Sequence, residues 1–209
     1  FVSSKKYGWW WWCQVRKYEA HINKLVGKGY SHVGLLYKGF ASRSPRVLKQ
    51  AYITYIRPVL EYASSVWSPH LIKHIDAIER VQKKFTKRIR TISDLSYPER
   101  LAALDLEPLE LRRLKTDLIL YYKCMNGLVA LPYADYFNVS NVISQTRTGG
   151  NRLIQASCST NQFQNDFFNR SVSCWNFLPP HIIATDTVFK FKRLLSTVDL
   201  RRFLKCTYF

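Results

Sequence analysis

The chain has 209 residues and is 47% apolar, enough for a packed core and too much for disorder by composition. Its net charge is +18, with 18 Lys and Arg against 4 Asp and Glu over residues 1–92, but 14 against 10 over residues 93–209. A field of that sign suits phosphate or an anionic membrane, and because no apolar run approaches ~20 residues no membrane span is expected.

Residues 1–17 hold Trp9 to Trp12 in a row and match no motif, so they are left unassigned, as unstructured or mispredicted. The opening Phe1 in place of Met fits a fragment or truncated gene prediction. Further on, Ile22, Leu25, Val26, Tyr30, Val33, Leu36 and Phe40 recur at helical spacing. Gly27, Gly29 and Gly34 each weaken a helix by ~1 kcal/mol, so packing and not propensity must hold this one. A second helix is predicted from Ser44, a suitable N-cap, and Pro45 through to Trp67. Pro58 should kink or split it at Arg57, and Ser68-Pro69 should end it.

The third helix places Leu71, Ile75, Ile78, Phe85, Ile89 and Ile92 at steps of four and three, with Gln82 the one polar position in that series. Its opposite side carries Arg80, Lys83, Lys84, Lys87 and Arg88, and Lys73 extends this stripe by two turns. A solvated face usually mixes signs to form i,i+4 pairs, whereas this one reads as self-repelling beyond Glu79. The stripe is therefore read as a face that grips nucleic acid, with an ordinary wet surface as the competing reading.

A short helix is predicted over 97–104 and a longer one over 108–126, ended by Gly127. On the longer one Arg112, Arg113 and Lys115 could reach phosphate or water, although packing explains most of that segment. The tetrapeptide Tyr133-Ala134-Asp135-Tyr136 reads as a loop, and 146–151 as a turn flanked by Arg147 and Arg152, lower-ranked phosphate contacts. A helix follows over 166–177, with Phe167, Phe168, Val172 and Trp175 inward, stopped by Leu178-Pro179-Pro180. An amphipathic helix over 187–195 is the last. Cys13, Cys124, Cys158, Cys174 and Cys206 are odd in number and widely spaced, as expected of reduced thiols inside a cell and not of a zinc site.

The run AYITYIRPVLEYASSVWSP over 51–69, followed by IDAIERVQKKFTKRI over 75–89, resembles the segment downstream of the polymerase palm in non-LTR (LINE-type, jockey-like) retrotransposon reverse transcriptases. In that family a helix with Arg-Pro-x-Leu-Glu-Tyr-x-x-x-Val-Trp precedes one ending Val-Gln-x-x-basic. The likeness extends in order through Leu109-x-x-Arg112-Arg113 and Phe167-Phe168-x-Arg170-x-Val172-x-x-Trp175-Asn176-x-Leu178-Pro179, and spans about 18–195. Tyr18 stands where the family usually carries Trp.

The resemblance implies a mainly α chain, with a three-helix thumb-like bundle over 18–92 and a smaller helical C-terminal region with loops and a short β pair over 93–209. It implies a parent RNA-directed DNA polymerase that uses Mg2+, an RNA template and a DNA primer. The stripe Lys73, Arg80, Lys83, Lys84, Lys87 and Arg88 would hold the RNA–DNA hybrid or duplex. No catalytic residue, metal ligand or cofactor is assigned within this chain, which is expected to be inactive without the palm and fingers it would partner. Tyr133 to Tyr136 imitates the palm's Tyr-x-Asp-Asp but has Tyr136 for the second carboxylate, and it follows the bundle where the family's catalytic strand precedes it. The expected location is nucleus or cytoplasm, with no membrane. The rival readings are a free-standing basic helical protein that reads a major groove, and a transposable-element relic with no function.

Overall fold

The first helix carries Gly27, Gly29 and Gly34 in its interior, and one of them lets its neighbours come close. The computed structural model describes residues 8–130, 153 and 164–208, with side chains from Tyr18 onward, and α1 covers Gly8–Gly39. A Cβ added at Gly29 would meet Leu60 Cδ2 at 2.9 Å and Val81 Cγ1 at 3.0 Å, whereas at Gly27 or Gly34 it would meet nothing within 4 Å. Only Gly29 is required by the packing. Residues 8–17, assigned no structure from sequence, continue the backbone of α1.

α2 (Pro45–Ala51) begins where predicted, with Ser44 at the N-cap, but the Ser44 side chain makes no capping bond. The single helix expected to reach Trp67 is instead interrupted twice. Tyr52–Ile56 form a π-helical turn, followed by α3 (Arg57–Glu61) and α4 (Ser64–Trp67). Pro58 accounts for the first interruption: it has no N–H and its ring crowds the carbonyl one turn back. The wider turn, in which the Arg57 N–H donates to the Tyr52 carbonyl, makes room for it. The second interruption falls at Ala63, whose left-handed φ of 51° separates α3 from α4.

α5 (Ile72–Lys87) runs parallel to α1: Glu19 meets Lys73, Tyr30 meets Lys84 and Tyr37 meets Phe85. The α2–α4 segment runs against α1, pairing Phe40 with Tyr55 and His21 with Trp67. Val33, Leu48, Ile56, Leu60, Ile78 and Val81 fill the space between, and Tyr52 stacks on Phe85 with ring centres 4.5 Å apart. Leu71, expected inward, is 42% exposed because it is the N-cap of α5 and lies outside the helical stripe.

Gln82 sits fully buried at the centre of a polar network. Its amide donates to the Tyr97 hydroxyl at 3.1 Å and the Glu107 carbonyl at 3.0 Å, and its oxygen accepts from the Tyr52 hydroxyl at 2.6 Å. Glu79, also fully buried, accepts from the Leu109 N–H at 2.9 Å and from the Tyr97 hydroxyl, whose pKa burial and the Glu79 charge push upward. These bonds fix the roll of α5 about its axis and so determine which residues face outward.

A 3-10 turn (Arg90–Ile92) leads to α6 (Tyr97–Ala103), which starts with a Ser96/Glu99 capping box. α7 covers Leu109–Met125, and Gly127, at φ +65°, ends it in a Schellman motif: Gly127 N–H donates to Cys124 O and Leu128 N–H to Lys123 O. The chain divides into two units, Phe1–Arg112 with Lys205–Phe209, and Arg113–Leu204. The division falls inside α7 and not at residue 92, since Glu79 and Gln82 bind Tyr97, Glu107 and Leu109 to α5. The tail belongs to the first unit through Glu110, which accepts from the Lys205 and Cys206 N–H groups at 2.8 and 3.2 Å.

In the second unit the predicted helix over 166–177 is two, α8 (Phe167–Arg170) and α9 (Val172–Phe177), with Asp166 capping the first. Trp175 and Val172 are buried as expected, while Phe167 and Phe168 are only half-buried. Pro180 starts α10 (Pro180–Ile183), where only a stop was predicted, and α11 (Val188–Leu195) is capped by the Thr187 hydroxyl. The short β pair reduces, among the described residues, to a single bridge position at Leu153, whose backbone also exchanges hydrogen bonds with the Asn176 side chain.

Candidate nucleic-acid interface

With Glu79, Gln82 and Phe85 inward, the basic side of α5 faces outward. Lys73, Arg80, Lys84, Lys87 and Arg88 are exposed, and Lys83 is half-buried. All six expected positions thus share one face, but the face is not uniformly self-repelling. Asp76, one turn before Arg80, bonds Arg80 Nε at 2.7 Å and Lys83 Nζ at 3.0 Å. Lys73 bonds Glu19 on α1 at 3.0 Å. The i,i+4 spacing of Asp76 and Arg80 was readable in the sequence; the Glu19 partner, on another helix, was not.

Two of the remaining three cations rest on aromatic rings of α1. Lys84 Nζ lies 4.8 Å from the centre of the Tyr30 ring, and the Arg88 guanidinium 4.3 Å from that of Tyr37. Tyr37 also carries Arg43 at 5.8 Å and donates its hydroxyl to the Phe85 carbonyl at 3.0 Å. Its pKa is pushed up to about 12 by burial, against the pull of Arg88 and Arg43. Lys87 donates to the Ser93 carbonyl at 2.7 Å. Among the described residues no carboxylate pairs with Lys84, Lys87 or Arg88, so the net positive charge concentrates at the C-terminal end of α5.

Arg112 is held by Glu61, with Nη2 at 3.0 Å from its carboxylate, and Arg113 is buried, so neither belongs to this face. Arg147, Arg152 and residues 133–136 lie outside the described residues. Among the described residues no group of three His, Cys, Asp or Glu is placed to hold a metal ion, and no helix is long and apolar enough to cross a membrane.

No family model matches the sequence, and no solved structure matches it. A Caenorhabditis elegans protein described as uncharacterized is 22% identical over 129 residues, covering 60% of this chain. The chain spans 65% of that protein's own length.

The exposed groups of α5 are ammonium and guanidinium heads, of which those of Lys84 and Arg88 lie over tyrosine rings. Such heads donate to phosphate oxygens, and contacts of that kind carry no sequence information directly. The tyrosine rings beneath these two heads limit the rotamers that they would otherwise explore, which lowers the entropy lost on meeting an anion.

Proposed function

We propose that this chain is the thumb and C-terminal region of a LINE-type RNA-directed DNA polymerase, and that the outward face of α5 holds the product RNA–DNA hybrid or duplex inside the cell. The motif order from AYITYIRP to Phe168-x-Arg170 supports the family. The observation that carries the binding role is the exposed Lys84, Lys87 and Arg88, two of them seated on α1 tyrosines, at the end of a helix whose opposite side is locked by the Glu79–Gln82 network. Nucleotide transfer would be the work of the parent's palm carboxylates and their Mg2+. The role left to this chain is to track the sugar–phosphate backbone.

Binding should therefore show little sequence preference and fall steeply with salt. Each neutralised phosphate contributes about −0.9 to the slope of log K against log salt on B-form DNA, so Lys84, Lys87 and Arg88 together supply roughly −2.7. Replacing all three by Gln should flatten the slope by nearly that amount while leaving the helical circular dichroism intact, since none lies on the buried side. Fluorescence anisotropy across a salt series reads both. A wild-type slope near zero, or equal binding by the triple variant at every salt concentration, would overturn the proposal, and a strong preference among oligonucleotide sequences would favour the groove-reading rival.

A further inference from the structure

The cations of α5 fall into two chemically different sets. Lys84 and Arg88 sit on tyrosine rings, whereas Arg80 and Lys83 converge on one carboxylate, that of Asp76. Asp76 is half-buried, with 26% of its side chain exposed, and it occupies the middle of the outward face, one turn from Arg80 and two from Lys83. Two oxygens receiving a guanidinium at 2.7 Å and an ammonium at 3.0 Å reproduce what a backbone phosphate would receive from the same two groups. On the duplex-holding reading, we propose that Asp76 is an internal substitute for a phosphodiester, occupying Arg80 and Lys83 until a backbone phosphate displaces it, so that the stripe grips with fewer cations than it carries.

The surroundings support an exchange and say which cation moves. Burial pushes the Asp76 carboxyl up, yet Lys83 and then Arg80 bring it below the ordinary aspartate value, so near neutral pH it is the ionised form that competes with phosphate. Lys83 has further anchors: its Nζ lies 5.4 Å from the Tyr97 ring centre and 5.2 Å from that of Tyr208, which the C-terminal tail brings in. Arg80 has 67% of its side chain exposed and no ring beneath it among the described contacts. Arg80 is therefore the group that leaves Asp76 for the phosphate, while Lys83 remains in place as its neighbour. The restraint also serves release: a carboxylate waiting beside the contact lowers the cost of letting a phosphate go, as a protein that must step along a duplex requires.

The test uses the full chain and a short mixed-sequence RNA–DNA hybrid. Asp76→Asn should bind roughly threefold to tenfold tighter at low salt, with a slope steeper by about one phosphate, because Arg80 is released and the repelling carboxylate is gone. Asp76→Ala repeats the measurement with the best helix former in place, should the amide disturb the helix. Asp186→Asn is the control: it makes the same change in net charge at the Lys190 pair of the second unit, and should move the slope little. Arg80→Gln should cost more affinity in the Asp76→Asn background than in the wild type, a coupling that a merely structural aspartate would not produce. Unchanged affinity and slope in both Asp76 variants would overturn the inference while leaving duplex binding standing. Equal gains from Asp76→Asn and Asp186→Asn would overturn it too, by reducing the effect to net charge. Absence of salt-dependent binding in the wild type and the variants alike would remove the duplex-holding reading itself.

Discussion

Glu79 in the first unit and Asp117 in the second are both buried acids, yet they are satisfied by different chemistry. Glu79 receives a backbone N–H from the start of α7, a tyrosine hydroxyl from α6 and a glutamine amide from its own helix. Asp117 is gripped by the Arg170 guanidinium, with one oxygen 2.8 Å from Nε and the other 3.0 Å from Nη2. A dispersed network shares the carboxylate among donors that each lose only one bond when it changes. A bidentate pair concentrates the stabilisation in one residue, and its loss strands a charge. The first arrangement orients an element, here α5 and its outward face; the second clamps α7 to α8 within its own unit.

The sharpest way to break this contrast is Arg170→Met. It should destabilise the second unit by ~3–5 kcal/mol, because the Asp117 carboxylate, 4% exposed, loses its countercharge. The double variant Asp117→Leu with Arg170→Met should recover most of that loss, as paired removal leaves no buried charge behind. Glu79→Gln, which keeps the shape and one acceptor, should cost the first unit only ~1–2 kcal/mol. Hydrogen exchange read separately over residues 18–112 and 164–204 assigns each loss to its unit. If Glu79→Gln proves as costly as Arg170→Met, the network is not sharing the charge as its geometry indicates.

Much of the fold was legible because apolar spacing and caps are local signals. The stripe of α5, the start of α2 at Pro45, the start of α11 at Val188 and the stop at Gly127 all follow from neighbouring residues. Ser96 and Glu99 carried a readable capping-box spacing as well. The break at Ala63 was not legible, since nothing in Tyr62-Ala63-Ser64 demands a left-handed residue. Pro58 announced a disturbance but not that a π-helical turn would absorb it. On the candidate face, the positions of the six cations were readable from one helix, but their partners were not. Glu19, Tyr30 and Tyr37 come from α1, and whether they meet Lys73, Lys84 and Arg88 depends on the parallel packing that Gly29 permits. The i,i+4 spacing of Asp76 and Arg80 is local, but that Lys83 joins the same carboxylate depends on side-chain placement that spacing does not specify.

For Gly27, Gly29 and Gly34 of α1, sign matters more than size. Read as residues, Gly27, Gly29 and Gly34 are equivalent helix weakeners, each ~1 kcal/mol worse than Ala. Read in place, Gly29 lies against Leu60 and Val81 at 2.9 and 3.0 Å, while Gly27 and Gly34 face open space. Gly29→Ala should therefore destabilise by ~1–3 kcal/mol despite its better propensity, because a methyl group there pushes α1 away from α3 and α5. Gly27→Ala and Gly34→Ala should each stabilise by ~0.5–1 kcal/mol, since the helical φ of α1 suits Ala and the unfolded chain loses freedom. Urea midpoints at unchanged m-value would show the three shifts. Stabilisation by Gly29→Ala would mean that α1 and α5 lie farther apart than the tyrosine seats of Lys84 and Arg88 require, and the arrangement of the cation face would have to be redrawn with it.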